Sequence, residues 1–269
     1  MEKMFHVEQV TTMNKIIAVA NQKGGVGKTT TAINLAASLA TKKRRVLIVD
    51  FDPQGMATVG LGLPKEERKG IYQALMKKMP TLECIRPCDL ENLYICPCSP
   101  ELSGFEAEIF NEDEREIRLR LALEQVRKLF HYILIDCPPS LGFLTINAMT
   151  AADSILIPIQ TEFFCMEGMP ELLRMLDQVR AYLNPKLRIE GILLTMYDER
   201  TNLSKQVADE IRGSLRGVTY DSIIPRTVKL AEAPSFGKPA LLYDIKSKAA
   251  QSYLTLAEEF LNHEKTSVG

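Results

Sequence analysis

The sequence predicts one α/β domain, a mostly parallel twisted sheet with helices on both faces. Three observations carry that expectation. Short apolar runs alternate with segments of helical periodicity from Lys15 to the C-terminal end, the first run stops at a glycine-rich turn, and two later runs stop at aspartate. Short apolar runs bounded by turn residues suit strands buried on both faces, and intervening helices supply the right-handed crossovers that parallel strands require. Ligands of such sheets lie at the carboxyl ends of the strands.

Residues 1–13 mix charge and polarity without a period and read as a loose arm, which leaves 14–265 as the folded domain. The first strand is Ile16-Ile17-Ala18-Val19-Ala20. The helix after the turn runs from Thr29 to about Thr41, with Ile33, Leu35, Ala36, Leu39 and Ala40 at its apolar positions. Further strands are expected over Val46 to Asp50, Tyr132 to Asp136, Ser154 to Ile159 and Ile189 to Met196, with a weaker one ending in Ile223-Ile224. Helical spacing recurs over Glu114 to Leu129, Leu141 to Ala151, Pro170 to Leu183, Leu203 to Leu215 and Ser247 to Leu261. Pro170 suits a first helical turn. Between Gly60 and Ser103, Pro64, Pro80, Pro87, Pro97 and Pro100 interrupt any long element, so this stretch reads as an elaboration of the same domain.

Hydrophobic residues make up 46% of the chain and charged residues 25%, a globular composition. No apolar run approaches the roughly 18 residues of a membrane span, and a cytoplasmic location is expected. The net charge of -1 removes any long-range pull on a polyanion, so nucleic-acid binding would need a local basic cluster. Cys84, Cys88, Cys96 and Cys98 lie close in sequence, but their spacings fit no regular zinc or iron–sulfur pattern, and in a reducing compartment they are expected as thiols.

Between the first strand and the first helix stands Asn21-Gln22-Lys23-Gly24-Gly25-Val26-Gly27-Lys28-Thr29-Thr30. Glycines let successive N–H groups turn inward toward phosphate oxygens, and the helix N-terminus adds its positive dipole end. In that setting Lys28 reaches β- and γ-phosphates and the Thr29 hydroxyl binds Mg²⁺, which makes this a P-loop NTPase domain. Gln22 stands where the usual pattern has its first glycine, and the departure sets a second lysine, Lys23, at the mouth of the loop. Asp50 and Asp52 follow one apolar run and Asp136 ends another. In a parallel sheet these carboxylates emerge beside the phosphate loop, where Mg²⁺ and an attacking water must be held. A lone strand-end aspartate is more often a turn former. Three beside a phosphate loop point to nucleotide hydrolysis.

Lys23 to Thr30 resembles the deviant Walker A motif of the ParA/MinD ATPases, Asp50-Phe51-Asp52-Pro53-Gln54 their second acidic motif, and Ile133 to Pro139 their Walker B segment. The likeness continues through Thr195-Met196-Tyr197-Asp198, Ile224-Pro225-Arg226 and Leu230 to Pro239, and in detail it is to the chromosomal ParA proteins called Soj. The resemblance implies ATP and Mg²⁺ as cofactors and an ATP-sandwich homodimer in which Lys23 of each subunit reaches the ATP of the other. It implies a phosphate loop of Lys23, Gly24, Gly25, Val26, Gly27, Lys28, Thr29 and Thr30. Asp52 would orient or activate water, Thr29, Asp52 and Asp136 would serve Mg²⁺, and Pro225, with Met196, would lie near adenine. Hydrolysis is expected to be slow alone and stimulated by a ParB-type centromere-binding partner.

The ATP-bound dimer of this family binds double-stranded DNA without regard to sequence, which implies association with the nucleoid. Here Arg200, Lys205, Arg226, Lys229 and Lys246 are the candidate contacts, with Lys238 and Lys248 in the same final third. Arg226 and Lys229 are spaced as one helical turn and are expected to share a face. The competing reading is a membrane-cycling regulator of division-site placement of the MinD type, which needs a basic amphipathic terminal helix. Glu258 to Lys265 is acidic and polar instead, and Tyr253, Leu254, Ala257, Phe260 and Leu261 read as a stripe docked on the core, so no membrane partner is expected. The cysteine spacing disfavours a third class, the metal-cluster ATPases.

Overall fold

The computed structural model describes residues 14–65, 69–162 and 167–267; the arm read at 1–13 lies outside the described residues. The strands are β1 (Lys15–Val19), β2 (Val46–Asp50), β3 (Arg86–Pro87), β4 (Leu93–Cys96), β5 (Tyr132–Asp136), β6 (Ser154–Gln160), β7 (Arg188–Tyr197) and β8 (Thr219–Pro225). They form one sheet in the order β3-β4-β2-β5-β1-β6-β7-β8, parallel throughout except where β3 meets β4. The helices are α1 (Lys28–Thr41), α2 (Met56–Gly60), α3 (Ile71–Leu75), α4 (Thr81–Cys84), α5 (Phe105–Glu108) and α6 (Arg118–Glu124), then α7 (Phe143–Ala151), α8 (Met169–Tyr182), α9 (Asn202–Ser214), α10 (Val228–Glu232), α11 (Ala240–Tyr243) and α12 (Lys248–Ser267).

Every residue of β2 and β5 is buried, because helices cover both faces; this is why these strands read as continuous apolar runs and not as alternating ones. Ile16 and Ala18 of β1 point into a core shared with α7, α8 and α9, while Ile17 and Val19 point into a second core shared with α1 and α12. Tyr253, Leu256, Ala257 and Phe260 of α12 are buried in that second core, with Leu254 and Leu261 half-buried beside them. At the opposite end of the sheet from the phosphate loop, Lys15 bridges Glu190 (2.7 Å) and Glu264 (3.3 Å), and the Tyr132 hydroxyl donates to Glu264, which locks α12 across β1, β5 and β7. No helix among the described residues is long and apolar enough to cross a membrane.

Three departures from the sequence reading have local causes. The proline-broken stretch supplies β3 and β4, and β4 is a parallel neighbour of β2. Four residues beside two prolines carry too little period to announce a strand; their burial comes from the neighbour. The helix expected over 114–129 survives as α6 alone, flanked by 3₁₀ turns at Arg115–Ile117 and Arg127–Leu129. Glu114 is left-handed (φ 61°), and Arg127 is held by the Asn14 carbonyl (3.0 Å) and Asp153 (2.7 Å), which turns the chain into β5. The Leu141 helix begins later, at Phe143, and the last helix runs on to Ser267.

Candidate functional site

The phosphate loop leaves β1 and enters α1 through Gly25 (φ 74°) and Gly27 (φ 89°), both left-handed, a backbone shape that a side chain would strain. Gly27 stands at the N-cap with no side-chain cap, so the first N–H groups of α1 are left for a ligand. The loop is held from outside. Asn21 accepts the Lys23 N–H (3.0 Å) and donates to the Pro158 carbonyl (2.7 Å), while the Thr195 hydroxyl donates to the Val26 carbonyl (2.8 Å). Lys28 is buried and its ammonium donates to the Lys23 carbonyl at 2.9 Å. Burial lowers its pKa, an effect opposed by Asp136, Cys137 and Asp52 nearby.

Parallel pairing sets Asp50 and Asp136 side by side at the ends of β2 and β5. Both are fully buried. Burial pushes the Asp50 carboxyl up to about 6 and that of Asp136 well above the usual range, the charge of Asp50 adding to the second effect. Neither oxygen of Asp136 makes a full hydrogen bond, although the Thr29 hydroxyl is near enough to favour its charged form. Asp52 lies one turn beyond β2 and accepts the Gln54 N–H (2.9 Å).

Above these groups lies a cleft of two joined lobes. One, about 380 Å³, is lined by Lys28, Thr29, Asp52, Pro139, Pro234 and Lys238 among others. The second, about 350 Å³, is lined by Pro225, Leu230, Ala231 and Tyr253. Gly27, Thr30 and Met196 belong to both, so the lobes meet over the first turn of α1. Met196 is left-handed (φ 52°) and the pairing of β7 with β8 is irregular beside it, a strained position of the kind found at ligand sites. The first lobe holds Lys28 and Thr29 of the phosphate loop together with Asp52, and the second is walled by the end of β8, α10 and Tyr253. A larger hollow, about 1020 Å³ between Lys15, Asp153 and Glu190, is at the opposite edge of the sheet and has no glycine loop.

The expected residues therefore gather in part. Gly25, Gly27, Lys28, Thr29, Thr30, Asp52, Met196 and Pro225 line the cleft, and Asp136 lies beneath it. The Val26 side chain turns into the core. Lys23, with Asn21, lines a neighbouring hollow beside Glu167 and Glu171, outside the cleft of its own chain. The sequence reading gave no role to Asn21, Thr58 or Thr195, whose polar side chains hold the loops in place.

The basic candidates are dispersed. Arg200 is bound through two nitrogens to Asp198 (2.8 and 2.7 Å), and these bonds hold the Asp198 carboxyl down to about 2. Lys229 pairs with Glu232 (3.4 Å) and lies over the Tyr243 ring, and Lys248 pairs with Glu199 (2.9 Å). Arg226, Lys205 and Lys246 are exposed and make no ion pair among the described residues. Arg226 also lines the second lobe of the cleft. The helical spacing read between Arg226 and Lys229 fails, because α10 begins at Val228 after a Thr227 cap and Arg226 lies between the end of β8 and that cap. The clustered cysteines lie among apolar residues, three of them fully buried, and burial pushes Cys84 up to about 11 and Cys88 up to about 12. Among the described residues no three His, Cys, Asp or Glu side chains are grouped to hold a metal by themselves.

A parallel sheet with a glycine loop leading into a helix at its carboxyl edge, and two strand-end carboxylates beneath, defines a P-loop nucleotide-binding protein. The family model described as "AAA domain" matches residues 14–189. The chain is 52% identical over 254 residues to the chromosome partitioning protein ParA of Myxococcus xanthus, covering 94% of this chain and 90% of that one. It is 50% identical over 248 residues to the sporulation initiation inhibitor protein Soj of Bacillus subtilis, covering 92% and 98%. Among solved structures, cobyrinic acid a,c-diamide synthase of Mycobacterium smegmatis with bound ADP and magnesium superposes with a TM-score of 0.83 at 34% identity, over 94% of this chain and 96% of that one. The chain belongs to the ParA/MinD family of P-loop ATPases, alongside relatives named ParA and Soj.

Proposed function

We propose that this chain hydrolyses ATP, dimerises around it, binds double-stranded DNA non-specifically in that state, and drives chromosome or plasmid partitioning with a ParB-type centromere-binding partner, in the cytoplasm and on the nucleoid. The observation that supports this most is the charge imbalance at the cleft. Asp52 and Asp136 lie near Lys28, Asp50 adjoins Asp136, and one Asp50 oxygen and both Asp136 oxygens are buried without a full hydrogen bond. Buried carboxylate oxygens are costly until a cation or donor meets them. A hard, oxygen-only donor set beside a glycine loop suits Mg²⁺, which Thr29 and Asp136 would hold, with Asp52 at the rim, and which would neutralise phosphate charge.

Lys28, in a partly desolvated setting, binds the β- and γ-phosphates together with the loop N–H groups. Asp52 orients or activates the attacking water, and the lobe of Met196 and Pro225 takes the adenine. Lys23 lines a hollow beside its own chain's cleft and not the cleft itself, which suits a residue serving a partner's ATP. Partitioning is favoured by the relatives' printed names, and over the membrane reading by α12, whose apolar stripe is spent on the core.

The test is size-exclusion chromatography with a non-hydrolysable ATP analogue and magnesium, with duplex retention on a filter, for wild type and Lys23→Ala. Wild type should dimerise and hold DNA with ATP but not with ADP or alone. Lys23→Ala should bind ATP as a monomer and release DNA. A monomeric wild type, or equal DNA retention without nucleotide, overturns the proposal.

A further inference from the structure

The loop that carries Asp52 is closed at its base by a side chain outside the cleft. Asp50 ends β2 and Thr58 lies in α2; both are fully buried. Thr58 donates its backbone N–H (2.7 Å) and its hydroxyl (2.6 Å) to the same Asp50 oxygen. The same hydroxyl accepts the Cys98 N–H at 2.9 Å, from the chain just past β4. Its proton is thus committed to one strand end and a lone pair to another. Between the two anchors the chain turns tightly. Asp52 accepts the Gln54 N–H on its side chain (2.9 Å) and the Gly55 N–H on its carbonyl (2.8 Å), and Gly55 is left-handed before α2 begins. Phe51 donates its N–H to the Asp136 carbonyl (3.0 Å), so the loop sets out from the strand that bears the other carboxylate.

From this geometry we propose that the Thr58 hydroxyl is a positioning group for hydrolysis: it fixes Asp52 relative to Lys28 and ties that position to the end of β4. This rests on the ATPase reading above and adds to it a residue that does not touch the nucleotide. Serine can replace a buried hydroxyl that both donates and accepts; valine has the shape and neither capacity. A misplacement of about 1 Å at a reacting group costs up to about a hundredfold in rate. Phosphate binding by Lys28 and the loop N–H groups does not pass through Thr58, so affinity is spared.

The experiment is steady-state ATP hydrolysis and nucleotide affinity for wild type and for Thr58→Val, Thr58→Ser and Thr58→Cys. Thr58→Val is expected to lose about ten- to a hundredfold in kcat with KM within about twofold, and Thr58→Ser to stay near wild type. Thr58→Cys, with a weak thiol donor, should fall between them. If the valine protein does not fold, the cysteine variant carries the test with the same split. An unchanged kcat in either, a serine variant as slow as valine, or a KM that rises in step with the loss of kcat overturns the role of Thr58. A wild type that binds ATP and never hydrolyses it sinks the ATPase reading, and this proposal with it; a hydrolysing wild type with an indifferent valine variant sinks the proposal alone.

Discussion

Asp50→Asn is expected to make the nucleotide-free protein more stable at neutral pH, and by an amount that depends on pH. Two donors from Thr58 meet one oxygen of Asp50, and the other oxygen is buried with no partner. Burial outweighs those bonds and raises the carboxyl from its ordinary 3.8 to about 6. A proton held more tightly in the folded state stabilises folding fully below pH 3.8, and that contribution is lost as pH rises through 6. At about 1.4 kcal/mol per unit, the loss by pH 7 has a ceiling of about 3 kcal/mol. Asparagine is nearly isosteric, keeps an oxygen for Thr58, carries no charge, and relieves Asp136 of the like charge beside it. The variant should therefore match wild type near pH 4 and exceed it by up to about 3 kcal/mol at pH 7, a gain of about 6–12 °C in Tm for a chain of this size. Thermal and urea unfolding followed by circular dichroism, in chelator, at intervals from pH 4 to pH 7, measures it. A stability difference that does not change with pH, or one that moves against the variant as pH rises, refutes the reasoning.

Two further changes probe the frame of the cleft. Thr195→Val removes the bond that holds the Val26 carbonyl at 2.8 Å and should weaken ATP binding about fivefold, the worth of about 1 kcal/mol; calorimetric titration that finds no change would show the loop to be held by other contacts. Gly237→Ala puts a methyl 2.6 Å from the Gly62 Cα at a left-handed backbone (φ 64°), so it should cost about 1–3 kcal/mol by urea unfolding, whereas Gly213→Ala, with open space around it, should be neutral or mildly stabilising.

The parts of this site that the sequence announces are those whose partners lie next to them in the chain. The glycine loop is legible because strand, turn and helix follow one another within a few residues, and Asp50 and Asp136 are legible because each closes an apolar run. Thr195 is not, since its partner Val26 is 169 positions away and nothing around either residue marks the bond. Thr58 is eight positions from Asp50, but its meaning depends on Cys98, brought near by β4, a strand too short to show a period of its own. The break between Arg226 and α10 is legible in the sequence. Thr227 is a good N-cap residue, and its hydroxyl does accept the Leu230 N–H (3.3 Å), which starts the helix one residue too late for Arg226 to share its turn.

The chain after β8 is what relates the two lobes. Leu230 and Ala231 of α10 wall the second lobe, and Ala233, Pro234 and Lys238, a turn further on, wall the first, over the phosphate loop. Gly237 rests on Gly62, just past α2, so the same segment touches the chain that follows the Asp52 loop. Behind it the Ala240 N–H donates to Asn34 of α1 (2.7 Å), and Thr31 of α1 shares a hydrogen bond with Tyr253 of α12 (3.2 Å). A nucleotide filling both lobes would therefore bear on one short stretch from two sides, with Arg226 and Lys229 at its start. A ligand shifts an equilibrium only through contacts that differ between states. On the proposed reading ADP and ATP fill the second lobe alike and differ at the γ-phosphate, so within one subunit a nucleotide-dependent change in this stretch would start in the first lobe, where Pro234 and Lys238 lie.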